Sequence, residues 1–157
     1  MRKFILFVAT GAGTGYSPAA PGTAGAALGL VLWALLAAGL GLPTAGLVLT
    51  FLVVSVLGVW AAGRAEPLLG RKDDGRITID EVAGMLLALL LLPVRLDVAL
   101  LGFGLFRLFD IWKPFPVGLG ERLSGGLGVM ADDWLAGLYA NLGGQLLWRL
   151  ALPGGLW

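Results

Sequence analysis

Three short stretches carry acids and bases that could act together. They are "ITIDEVAGM" with Asp80 and Glu81, "FRLFDIWKPFP" with Arg107, Asp110 and Lys113, and "SGGLGVMADDWLAG" with Asp132 and Asp133. Adjacent carboxylates repel, and a cation between them removes that cost. Their oxygens are hard ligands suited to Mg²⁺, Ca²⁺ or Mn²⁺. Arg107, Asp110 and Lys113 are spaced by three, which lines them along one face of a helix. Cations there would neutralise phosphate charge. A metal held by Asp and Glu polarises a phosphoryl oxygen and lowers the pKa of a water. The set therefore suits hydrolysis of a phosphate monoester on a lipid. A fourth stretch, Gly11 to Gly25, interleaves glycine with Thr14, Ser17 and Thr23. Its backbone amides, and a helix N-terminus at Thr23, can hold an anion. It is not a Walker loop, because the Gly-Lys-Ser/Thr ending is missing.

Each stretch also has a plainer reading. Asp80 and Glu81 suit the first turn of a helix, and Arg107 and Lys113 can snorkel to headgroups. Asp132 can serve as an N-cap, and Gly/Pro-rich turns are common. These readings leave residues over. Headgroup phosphates give Asp110 nothing, and a cap needs one acid rather than two. Ionisable residues at membrane depth are functional candidates by default.

Composition narrows the chemistry. The 157 residues contain neither Cys nor His. Thiolate zinc sites, imidazole ligation, Cys-dependent catalysis and any Ser-His-Asp triad are thereby excluded. The chain is 58% hydrophobic and only 13% charged, with a mean hydropathy of +0.90. Soluble domains are about 25% charged, so these values indicate a membrane protein. A net charge of +1 gives no electrostatic reason to expect nucleic acid.

The elements that must position these residues follow from the apolar runs. Thr23 to Leu42 and Gly46 to Ala62 are uncharged and about long enough to span. "MRKFILFVA" reads as a retained membrane-surface segment rather than a signal peptide. Arg64 to Arg76 is a polar loop. Thr78-x-x-Glu81 has the form of a capping box for a helix running to about Leu92. Pro93, Arg95 and Asp97 break it, and Val98 to Phe109 forms the second arm of a hairpin, spanning or partly re-entrant. Ile111 to Asp133 reads as a second polar loop, and Trp134 to Leu150 as the last span. The predicted fold is all-α: a single membrane-embedded domain over residues 1–157, a bundle of about five embedded helices with cytoplasmic active-site loops.

Charge tests that threading. With the N-terminus inside, Arg2, Lys3, Arg64, Arg71, Lys72, Arg76, Arg107, Lys113 and Arg122 lie inside, and Arg95 and Arg149 outside. Nine of the eleven Lys and Arg residues then share the cytoplasmic side. The same threading brings Asp80, Glu81, Asp110, Asp132 and Asp133 to that face.

The motifs "SPAAPGTAG", "TIDEVAGM", "FRLFDIWKPFP" and "GGLGVMADDWLAG", in this order between about Gly13 and Tyr139, resemble the phosphatidylglycerophosphatase A family. The resemblance implies a multi-pass enzyme of the bacterial inner membrane that is Mg²⁺-dependent. It would hydrolyse phosphatidylglycerophosphate to phosphatidylglycerol and phosphate. The family's acids fall on Asp80, Glu81, Asp110, Asp132 and Asp133, and its lysine on Lys113. The expected metal ligands are these five acids, with Asp132 alternatively a neighbour or a cap. Asp80, Asp110, Lys113 and Asp133 are the expected catalytic set. Arg107 and Lys113, with Thr14, Ser17 and Thr23 nearby, are expected to bind phosphate. Direct attack by water is the expected mechanism, with an aspartyl-phosphate as its alternative. The competing class is a small cation transporter or channel with the acids as its path. Two charge-free spans and acids gathered at one face favour the enzyme.

Overall fold

The computed structural model describes residues 1–151, without the side chains of Glu121, Arg122 and Ala151. The charge of Arg122, assigned above to the cytoplasmic side, thus lies outside the described side chains. All regular elements among the described residues are helical, as the apolar runs predict.

Helix α1 spans Arg2–Ala9. A short 3₁₀ turn at Thr14–Tyr16 leads to α2, Pro21–Ala34, which continues as a π turn over Leu35–Gly39. Proline's fixed φ suits it to a first helical position. Helix α3 spans Thr44–Leu69 and stops at Gly70 in the left-handed region. It runs through Pro67, so part of the expected loop from Arg64 is helix. Helix α4 covers Ile79–Leu89, α5 Leu96–Trp112 and α6 Gly125–Ala151. The expected loop from Ile111 to Asp133 is correspondingly shorter. Asp132 and Asp133 lie two turns inside α6, so Asp132 is not an N-cap. Gly126 there serves packing, since a Cβ on it would collide with the carbonyl of Val59, whereas Gly125 supplies a left-handed turn with φ 63°.

Helix α4 is the centre of the bundle. Nine of its residues, including Asp80, Val82, Met85, Leu86 and Leu89, are buried. Its C-terminal carbonyls find partners on α6. The buried Asn141 donates from Nδ2 to Leu87 and Ala88, each at 3.2 Å, and to Leu90. Gln145 in turn donates to Asn141 Oδ1 at 2.7 Å. Helix-end carbonyls need such partners where water is excluded.

The crossing of α4 and α6 depends on small residues. A Cβ on Gly137 would meet the carbonyl of Gly84, and one on Gly84 would lie 2.7 Å from the carbonyl of Asp133. Gly84 sits one turn beyond Asp80 and Glu81, and Gly137 one turn beyond Asp133. Close backbone approach therefore sets the spacing of the acids. Gly137→Ala should cost about 1–3 kcal/mol of stability, the usual scale of overpacking. A lowered thermal midpoint would show this; an unchanged midpoint would mean that the crossing is looser than described.

Two helices among the described residues are long and apolar enough to cross a membrane, Pro21–Gly39 and Thr44–Leu69. Leu49, Leu52, Val53, Val56 and Leu57 of α3 are exposed, an apolar surface that suits a lipid solvent better than water. Helix α4 is about 16 Å long, short of the roughly 30 Å hydrocarbon core.

Candidate active site

Asp80 and Glu81 occupy the first turn of α4, and Asp133 the third turn of α6. Each offers a carboxylate oxygen, and these three oxygens lie within 4.8 Å of one another. Asp80 is 8% exposed and Asp133 3%. Three carboxylates so close, and so far from water, are unfavourable without a counter-charge. Glu81 Oε2 is buried and has no hydrogen-bond partner among the described residues. An all-oxygen trio with an unsatisfied acceptor fits a hard divalent cation.

The other two acids are placed differently. Arg107 Nη1 donates to Asp110 Oδ2 within α5. Lys113 Nζ donates to Asp132 Oδ2 at 2.6 Å, joining the end of α5 to α6. The five acids do converge, since Asp110 and Asp132 lie within reach of the trio's charge, and within the cluster these two are each paired with a cation. Lys113 is itself the cap residue of α5, with φ 47° and ψ 57°, and its N–H donates to the Phe109 carbonyl at 2.9 Å. Left-handed backbone is rare outside glycine and recurs at functional sites. Here it ends the helix at the residue that reaches Asp132.

Arg107 stands between the trio and the start of α2. A Cβ on Gly22 would collide with Glu81 Oε1 and lie 3.3 Å from both terminal nitrogens of Arg107. Arg107 Nε is buried without a partner among the described residues. The carboxylate of Glu81 and the guanidinium of Arg107 therefore flank the same glycine. Gly22→Ala should displace the Glu81 carboxylate and lower turnover at least tenfold, with little loss of stability because a flexible side chain can yield. Full activity of this variant would place Glu81 outside the working site.

The glycine-rich stretch braces the site. Thr14 Oγ1 pairs with Thr78 Oγ1 at 3.0 Å and is also within reach of the Thr10 carbonyl at 3.2 Å. Thr78 N–H donates to the Ala9 carbonyl at 2.9 Å. The expected capping box is not formed: Thr78 makes no side-chain cap, its hydroxyl being engaged by Thr14. Glu81 is instead directed to the trio. Upstream, Asp74 accepts from Arg76 Nε at 2.7 Å and from its backbone N–H at 3.0 Å. That guanidinium holds the Asp74 carboxyl below the usual carboxylate range. Ser17 is half-buried and Thr23 exposed. The residues missed from sequence are Gly22, Gly84 and Gly137, whose signal is small size at helical spacing from the acids.

The model of the family described as Phosphatidylglycerophosphatase A matches residues 7–148. The chain belongs to the phosphatidylglycerophosphatase A family. All four motifs and all the acids discussed lie inside the matched span. A phosphatidylglycerophosphatase A of Escherichia coli is 35% identical over 133 residues, covering 83% of this chain and 76% of the relative. The Haemophilus influenzae protein of the same name is 38% identical over 138 residues, covering 87% and 83%. A Bacteroides thetaiotaomicron protein named "Putative phosphatidylinositol-3-phosphatase" is 41% identical over 142 residues, covering 86% and 87%. No solved structure matches. Family membership supports a phosphatase acting on a phospholipid and gives the cation-channel alternative no support.

Proposed function

We propose that the protein removes the terminal phosphate of phosphatidylglycerophosphate, with Mg²⁺, at the cytoplasmic face of a bacterial inner membrane. The observation that carries this reading is the buried trio of Asp80, Glu81 and Asp133, with Glu81 Oε2 unpartnered among the described residues and the Arg107 guanidinium facing Gly22 alongside Glu81. The trio would hold Mg²⁺, which when bound supplies Lewis acidity toward a phosphoryl oxygen and acidifies water.

The remaining residues have roles of their own. Arg107 presents a rigid fork to the phosphate oxygens, and Asp110 fixes its orientation. Lys113 adds a second cation, with Asp132 as its anchor. Ser17 and Thr23 flank the approach beside the first turn of α2. In the reaction, water oxygen joins phosphorus as the ester P–O bond breaks. The glycerol oxygen leaves and takes up a proton, giving phosphatidylglycerol and inorganic phosphate.

Five helices, α2 to α6, would lie in the bilayer, with α4 and α5 as a partly re-entrant hairpin. The pair of Arg95 and Asp97, 2.7 Å apart, and the stacking of Arg95 on Trp148 at 4.9 Å suit the outer interface.

The relatives' names differ in substrate, so the decisive assay is comparative. Phosphate release from phosphatidylglycerophosphate and from phosphatidylinositol 3-phosphate is measured in vesicles with purified protein. The expected kcat/KM is higher for phosphatidylglycerophosphate by about a hundredfold or more, since a site built for one polar headgroup rejects another strongly. Preference for the inositol lipid would replace the substrate and keep the reaction type.

A further inference from the structure

Helices α3 and α6 also enclose polar atoms that the phosphate site does not use. Phe51, Leu52, Ser55, Val56 and Val59 recur along one side of α3, and Leu127 and Trp134 along one side of α6. They line an open cleft of about 490 Å³, within the size range of ligand sites. The two antiparallel helices are pressed together near one end of it. Gly126 lies against the Val59 carbonyl and Gly63, and Met130 against Gly58. From there the cleft runs toward Phe51, a rise along α3 of about 12 Å.

Its walls are apolar apart from two donors. Ser55 is 7% exposed, and its Oγ has no hydrogen-bond partner among the described residues. Trp134 Nε1 is likewise buried and unpartnered. A helical hydroxyl ordinarily returns to the carbonyl one turn back, as Thr50 does to Gly46 at 2.9 Å. Two unsatisfied donors in an otherwise hydrocarbon-like cleft fit a ligand that is mostly hydrocarbon and carries an acceptor. An acyl ester has that composition.

The cleft is also placed for it. Trp134 follows Asp133 in sequence, and a Cβ on Gly58 would lie 3.5 Å from Ile79, the residue before Asp80. Between Gly58 and Trp134 the cleft is thus close to the level of the carboxylate trio. Its Phe51 end lies in the half of α3 where Leu49, Leu52 and Val53 are exposed.

We propose that this cleft holds an acyl chain of the lipid substrate, with the ester carbonyl accepting from Ser55 Oγ and Trp134 Nε1. The proposal rests on the lipid-phosphatase reading above. The glycerol–phosphate–glycerol link would carry the terminal phosphate around α6 to Arg107 and the trio.

The test uses wild-type protein in vesicles and phosphatidylglycerophosphate with a photoreactive diazirine in its acyl chain. Adducts should fall on residues 51–59 and 127–134. Unlabelled substrate should suppress them, and phosphatidylcholine should not. Adducts only elsewhere, or equal suppression by phosphatidylcholine (a bystander bilayer lipid), overturn the proposal. In a second arm, Ser55→Trp fills the cleft. The ratio of kcat/KM for the diacyl substrate to that for its acyl-free headgroup analogue should fall about tenfold, the scale of a lost hydrogen bond and apolar contact. An unchanged ratio overturns the proposal. A wild type that releases no phosphate from either substrate contradicts the phosphatase reading instead, separately from where the adducts fall.

Discussion

Asp133→Asn should lower kcat/KM for phosphate release by about a thousandfold while the protein still inserts and folds. Asn keeps the size of the side chain, so the α4–α6 crossing at Gly84 and Gly137 is undisturbed. What it removes is one of three negative charges whose oxygens lie within 4.8 Å. Those charges repel one another at a site largely closed to water, so the metal-free variant should be at least as stable as wild type. The expected pattern is therefore paired: activity collapses, and the thermal midpoint in EDTA stays level or rises. Activity within tenfold of wild type would remove Asp133 from the site. A large fall in the midpoint would instead give Asp133 a structural role.

The second large effect is expected at Arg107. Arg107→Ala removes a guanidinium that contacts Asp110, lies beside Gly22 and Glu81, and has a buried unpartnered Nε. Loss of one preorganised donor to a phosphoryl oxygen costs about 10²–10³ in turnover. Arg107→Lys should recover little of it, because a point charge does not reproduce the planar fork. Asp110→Asn should give a smaller loss, since it frees the guanidinium without deleting it. The kinetics of the three variants, each with its thermal midpoint, check this order. Equal activity of Arg107→Lys and wild type would reduce Arg107 to a generic cation.

Much of this was legible in the sequence, for identifiable reasons. The uncharged runs give helices because nothing in them competes with that choice, and the four motifs in order point to the family. The threading that gathers Lys and Arg on one side also gathers the acids. The division among those acids was not legible. Asp110 and Asp132 differ from Asp80, Glu81 and Asp133 only through the cations opposite them, and spacing does not reveal pairings across helices. The expected loop before Asp132 is rich in glycine, which marks flexible turns and close helix contacts alike. At Gly126 close contact decides. Thr78 and Glu81 satisfy the pattern of a capping box, but Thr14 and the trio compete for their side chains. Asn141 carries no local signal, because its partners are carbonyls at the end of another helix.

On the proposed function, the buried trio holds a divalent cation on which hydrolysis of a lipid phosphate depends. The most direct measurement is phosphate release from phosphatidylglycerophosphate in vesicles by purified wild-type protein, stripped with EDTA and then titrated with Mg²⁺. Release should be negligible after stripping and should recover saturably with Mg²⁺. Full release that persists in EDTA, or no release at any Mg²⁺ concentration, would contradict that function.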